Sequence, residues 1–118
     1  MPKKRKEELA RQTAALHEAI DDLRRMLLRF KESTGKFATL VEEGEAVVPA
    51  LETIQGPILR RDLSDALEVF EAARQQARVA VLALGREQGA SLSEVGRLLG
   101  ISRQLASHLV ADAEDANS

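Results

Sequence analysis

The sequence predicts an all-α fold: a long N-terminal amphipathic, coiled-coil-like helix, a short helical connector, and a long helix leading into a C-terminal helix-turn-helix. Three observations carry this expectation. Helix formers dominate a 118-residue chain in which 31% of residues are charged and only 3% aromatic. Apolar residues recur at three- and four-residue steps over two long stretches. Near the C-terminus, Ser and Gly stand where short helices start and stop.

Residues 1–36 open with Lys3, Lys4, Arg5 and Lys6, followed by Glu7 and Glu8. A basic run of this kind is a solvated chain end, a DNA-touching arm or a nuclear localisation signal. From Leu9 a heptad runs with Leu9, Leu16, Leu23 and Phe30 at d, and Thr13, Ile20 and Leu27 at a. Glu18, Asp21, Asp22, Arg24, Arg25, Arg29 and Lys31 flank it, and the repeat is expected to stop near Ser33, Thr34 and Gly35, with Gly35 as C-cap. Two uses of this helix stay open. It is a dimerisation arm through Leu9, Leu16, Ile20, Leu23, Leu27 and Phe30, or it folds back on its own domain as an ordinary amphipathic helix.

Residues 37–56 form an acidic connector holding four Glu and no base. A short helix is expected from Phe37 to Glu43, stopped by Gly44, and another beginning at Pro49 and ending at Gly56-Pro57. The segment 57–111 then begins with a long helix over Ile58 to Gln88, striped by Leu59, Leu63, Leu67, Phe70, Ala73, Ala77, Val81 and Leu84. Its run Val79 to Leu84 is apolar nearly all round and needs cover on more than one side.

The run Ala90 to Ala111 carries the most specific signal. Ser91 and Glu94 make a capping box, Gly100 closes the helix that starts at Leu92, and Ser102 caps the next. Gly96 and Ala106 are the small pair where the two helices cross, and Val95, Leu99, Ile101, Leu105, Leu109 and Val110 are the expected shared core. The opposite side of the second helix shows Arg103, Gln104, Ser107 and His108. Arg bonds guanine bidentately, Gln bonds adenine, and Ser or His meets a base edge or phosphate, so these four are the candidate base readers. Ser102, Arg97, Arg86, Arg78 and Arg74 are the candidate phosphate contacts, the first because it stands at a helix N-terminus.

The stretch GASLSEVGRLLGISRQLASHLV, Gly89 to Val110, resembles the helix-turn-helix of bacterial transcriptional regulators, including region 4 of sigma factors and small regulators of high-GC bacteria. With the helix before it, the resemblance spans about residues 74–111. It implies packing for Gly96, a turn at Gly100, and base reading by the Ile101-Ser102-Arg103-Gln104 run. The expected function is then sequence-specific binding of double-stranded DNA by a homodimer acting in transcription, with the 102–111 helix in the major groove. RNA polymerase or a sigma subunit is a further partner in that setting. The alternative is a helical adaptor that recruits a partner through its heptad, with a purely structural hairpin.

Composition narrows the field. The absence of cysteine closes disulfides, thiol catalysis and cysteine-based zinc sites. His17 and His108 lack companions at metal spacing, and no nucleophile elbow, phosphate loop or paired catalytic acids occurs, so no enzyme, metal, cofactor or small-molecule site is expected. The near absence of aromatics argues against RNA and single strands, whose bases stack on exposed rings. With no apolar run of spanning length and a charged start, the expected location is the bacterial cytoplasm and nucleoid, or the nucleus if the basic run is a true signal. The net charge of -2 is unusual for a DNA binder. Residues 1–37 hold ten Lys/Arg against six acids, whereas 89–118 hold two Arg against four. The tail 112–118, with Asp112, Glu114 and Asp115, is therefore expected to fray or point away from the duplex.

Overall fold

A computed structural model describes residues 2–116, with side chains over 3–114. Its regular elements are all helical: α1 (Pro2–Glu42), α2 (Val47–Thr53), α3 (Gly56–Glu87), α4 (Leu92–Leu99) and α5 (Arg103–Ala116). None of these helices is long and apolar enough to cross a membrane, among the described residues.

α1 outruns its heptad. Gly35 does not end it: the backbone stays helical there, and nothing lies within 4 Å of the position its Cβ would take. An interior Gly costs only about 1 kcal/mol relative to Ala, which the rest of a long helix absorbs. The stop comes instead at Gly44, where the N–H of Gly44 donates to the Val41 carbonyl and that of Glu45 to the Leu40 carbonyl, each at 3.0 Å. The separate helix expected over Phe37 to Glu43 is thus the end of α1. Pro49 is the third residue of α2, still within the turn whose N–H groups have no intrahelical acceptor. Gly56 and Pro57 open α3 rather than close its predecessor, for the same reason.

The chain divides into two compact units, residues 1–17 with 71–118, and residues 18–70. In the unit of residues 18–70, Ala19, Met26, Ala50 and Leu59 are buried. Arg29 Nη1 donates to Asp62 Oδ2 at 2.9 Å, linking α1 to α3. The inward residues of α1 here are Ala19, Leu23, Met26 and Phe30. Leu23 and Phe30 belong to the heptad's d row, but their companions are Ala19 and Met26, one position before the expected a row. Ile20 and Leu27, the a residues, are 41% and 49% exposed.

The other unit gathers the end of α3 with α4 and α5. Leu82, Ala106, Leu109 and Val110 are buried together, with Val79, Leu92, Val95, Leu99 and Ile101 packed against them. All of residues 79–84 are buried or half-buried, as an all-round apolar run requires. Arg5 Nε lies 3.2 Å from Glu87 Oε2, tying the first turns of α1 to the last of α3. Leu9 and Leu16 are half-buried in this unit. Two expectations need correction. Leu105 is 39% exposed rather than part of the core, because Ala106, 100° away around α5, takes the inward direction. The acidic tail is helical as far as Ala116, so its described part continues α5 instead of fraying at 112.

Candidate nucleic-acid interface

Local chemistry sets the frame of α4 and α5. Ser91 Oγ accepts the N–H of Glu94 at 3.1 Å, and Glu94 Oε1 accepts the N–H of Ser91 at 3.2 Å. Two N–H groups that the first turn leaves without partners are thereby satisfied. At the other end Gly100 adopts φ +79°, with its N–H on the Arg97 carbonyl at 3.1 Å and the N–H of Ile101 on the Gly96 carbonyl at 2.9 Å. Ser102 Oγ then accepts the N–H of Leu105 at 3.0 Å and starts α5.

Close packing fixes the rotation of α5. Gly96 is buried, and a Cβ there would stand 3.2 Å from Ala106 Cβ and 3.5 Å from the Ile101 carbonyl oxygen. With Ala106, Leu109 and Val110 directed inward, the helical period turns Arg103, Gln104, Ser107 and His108 outward. All four are exposed, and with Ala111 they line one shallow depression. The depression presents a guanidinium, an amide, a hydroxyl and an imidazole within about one and a half turns of the helix start. The N–H groups of Arg103 and Gln104 lie in the first turn, where no intrahelical acceptor exists. Ala111 was not among the expected residues, although extending the same three- and four-residue steps by one turn would have reached it.

The expected phosphate contacts are placed less uniformly. Arg97 is exposed on α4 and Arg78 is half-buried on α3. Ser102 is exposed, with its hydroxyl engaged as the cap of α5. Arg86 Nη1 lies 3.3 Å from Glu114 Oε1, so α5 itself carries the counter-charge of that guanidinium. Arg74 Nη2 donates to Glu71 Oε1 at 2.9 Å, and its buried Nε has no acceptor among the described residues. His108 Nε2 is 3.6 Å from Asp112 Oδ2, a turn further along the helix.

α5 is therefore electrically polar along its length, with Arg103 at the start and Asp112 and Glu114 towards the end. An anion is attracted to the first two turns and repelled from the last, and the helix dipole adds to both effects. No group of three or more His, Cys, Asp or Glu that could hold a metal ion occurs among the described residues. Comparison of the chain with known protein families, with characterised proteins and with solved structures gives no match.

Proposed function

We propose that the protein binds double-stranded DNA sequence-specifically, as a dimeric transcriptional regulator whose α4 and α5 form a helix-turn-helix with α5 in the major groove. The observation that carries this reading is the exposed set Arg103, Gln104, Ser107 and His108 on the opening turns of a helix whose rotation is fixed by the Gly96–Ala106 contact. The resemblance of Gly89 to Val110 to bacterial helix-turn-helix sequences points the same way. Recognition helices read bases with their N-terminal residues, and here Arg103 and Gln104 stand more than two turns before the first acid of α5, Asp112.

Selection of bound duplexes from a random pool, followed by titration of the winner at several salt concentrations, tests the proposal. Phosphate neutralisation gives a steep fall of log affinity with log salt. Arg103→Ala is expected to weaken binding to the selected site by about 1–3 kcal/mol with helicity unchanged. Equal affinity of variant and parent for that site removes Arg103 from the reading face. A helical adaptor is the competing reading, favoured by the acid surplus of the C-terminal segment. It predicts no salt-dependent affinity for any duplex.

A further inference from the structure

The opening turn of α1 places Lys3, Lys4, Arg5 and Lys6 in succession, and no acid sits in that turn to offset them. The N-terminus of a helix is the positive end of its dipole, where cations are unfavourable. Of the acids that follow, Glu8 is already engaged by Arg11 and Gln12. A sequence that breaks a local rule without compensation inside the chain points to a use outside it.

The fold holds this turn in place. Arg5, Leu9 and Leu16 share one side of α1: the two leucines are half-buried, and Arg5 Nε lies 3.2 Å from Oε2 of Glu87, the last residue of α3. Successive helical residues stand 100° apart, so Lys3 falls opposite Arg5, and Lys4 and Lys6 fall on its two flanks. All three lysines are exposed, with no ion-pair partner among the described residues.

The same end of α3 carries the α4–α5 hairpin. A Cβ at Gly85 would stand 2.8 Å from Val95 Cγ2, so α4 packs directly on α3 there, and Arg86 reaches Glu114 towards the end of α5. Charge gives the arrangement a purpose. Residues 71–118 hold five Arg against six acids, and residues 1–17 hold five Lys/Arg against two acids. The unit that these two segments form is therefore acidic by one charge without the start of α1 and basic by two with it.

We infer that Lys3, Lys4 and Lys6 bind phosphates of the duplex backbone that borders the base pairs read by α5. The inference rests on the DNA-binding reading above. Along α5, Glu114 lies about 16 Å from Arg103. A major groove is about 12 Å wide, so with Arg103 at the base edges the far end of α5, and the start of α1 beside it, stand at the bordering strand. Asp112 and Glu114 alone would repel that strand, and three unpaired lysines reverse the sign. Lysine suits the task, because a compact charge on a flexible stem meets a phosphate without demanding a fixed geometry. Such contacts add affinity and carry no sequence information.

Titration of the full chain on the duplex selected from the random pool, at several salt concentrations, tests the inference. Lys3→Gln, Lys4→Gln and Lys6→Gln together are expected to lower affinity about tenfold or more near 0.1 M salt, and to make the log-log slope shallower by about two to three per chain. The ratio of affinities for the selected and a scrambled duplex should stay unchanged, whereas Arg103→Ala narrows it. Removing cations from the positive end of the dipole should leave the melting temperature unchanged or raised, so lost affinity is not lost folding. Arg24→Gln, Lys31→Gln and Lys36→Gln together remove the same charge from the unit of residues 18–70 and are expected to change the slope by less than about one. An equal change in this control, or a ratio narrowed by the lysine substitutions, overturns the inference. A parent that binds the selected site with a steep slope that the lysine substitutions leave intact defeats this inference alone. A parent without salt-dependent duplex affinity defeats the DNA-binding reading and this inference with it.

Discussion

Replacing Gly96 by Val probes the contact that sets the rotation of α5. Valine is a better helix former than Gly by a few tenths of a kcal/mol, which alone would stabilise α4 slightly. Against that, the new Cβ would stand 3.2 Å from Ala106 Cβ, closer than ordinary van der Waals separation. The γ-methyls would also crowd the Ile101 side chain, whose Cγ1 is only 3.6 Å from that Cβ position. Overpacking of this kind costs about 1–3 kcal/mol, so steric crowding outweighs propensity and the net loss should be about 2 kcal/mol. For a chain of this size that lowers the melting temperature by roughly 10 °C. Urea denaturation followed by far-UV circular dichroism measures the loss, and the Ala106→Gly background supplies the control. Removing the Ala106 methyl opens space for the new side chain, so the double variant should lose about 1 kcal/mol less than the two single losses added together. Strict additivity, or a Gly96→Val protein as stable as its parent, would refute the claim that this contact spaces the two helices.

Two further perturbations address the cap and the charge of the same element. Ser91→Ala removes the hydroxyl that accepts the Glu94 N–H and should cost about 1 kcal/mol in the same denaturation assay; no change would mean that the capping box contributes nothing net. Glu114→Gln frees Arg86 from its counter-charge, and duplex titrations across salt should then show higher affinity and a log-log slope steeper by about one. An unchanged slope would take Arg86 off the list of phosphate contacts.

What could be read from residues alone follows the range of the interactions involved. Ser91, Glu94, Gly100 and Ser102 were legible because each cap finds its partner within a few residues, and the same helical steps that placed Ala106, Leu109 and Val110 inward placed Arg103, Gln104, Ser107 and His108 outward. The heptad was legible only in half. Apolarity favours Ile20 and Leu27 over Ala19 and Met26, but α1 buries a small residue and an unbranched, adaptable one beside Leu23 and Phe30. Gly35 and Gly44 look alike in sequence; only Gly44, at φ +100°, leaves the helical region. Arg86 and Glu114 stand 28 residues apart, and no periodicity predicts their meeting. Leu105 is expected inward alongside Ala106, but the narrow space over Gly96 centres the buried face on Ala106 and leaves Leu105 39% exposed.

Gly96 and Gly100 sit one turn apart and resist substitution for opposite reasons. At Gly96 the backbone is ordinary and space is missing, whereas at Gly100 nothing lies within 4 Å of a Cβ and only the sign of φ stands in the way. The constraint at Gly100 is thus one of handedness, and a mirror-image residue meets it. D-alanine adopts φ near +79° without strain, and it would restrict the unfolded chain more than glycine does. The turn into α5 would then be stiffer without any new contact, while D-alanine at Gly96 would be held in a right-handed helix that suits the opposite chirality.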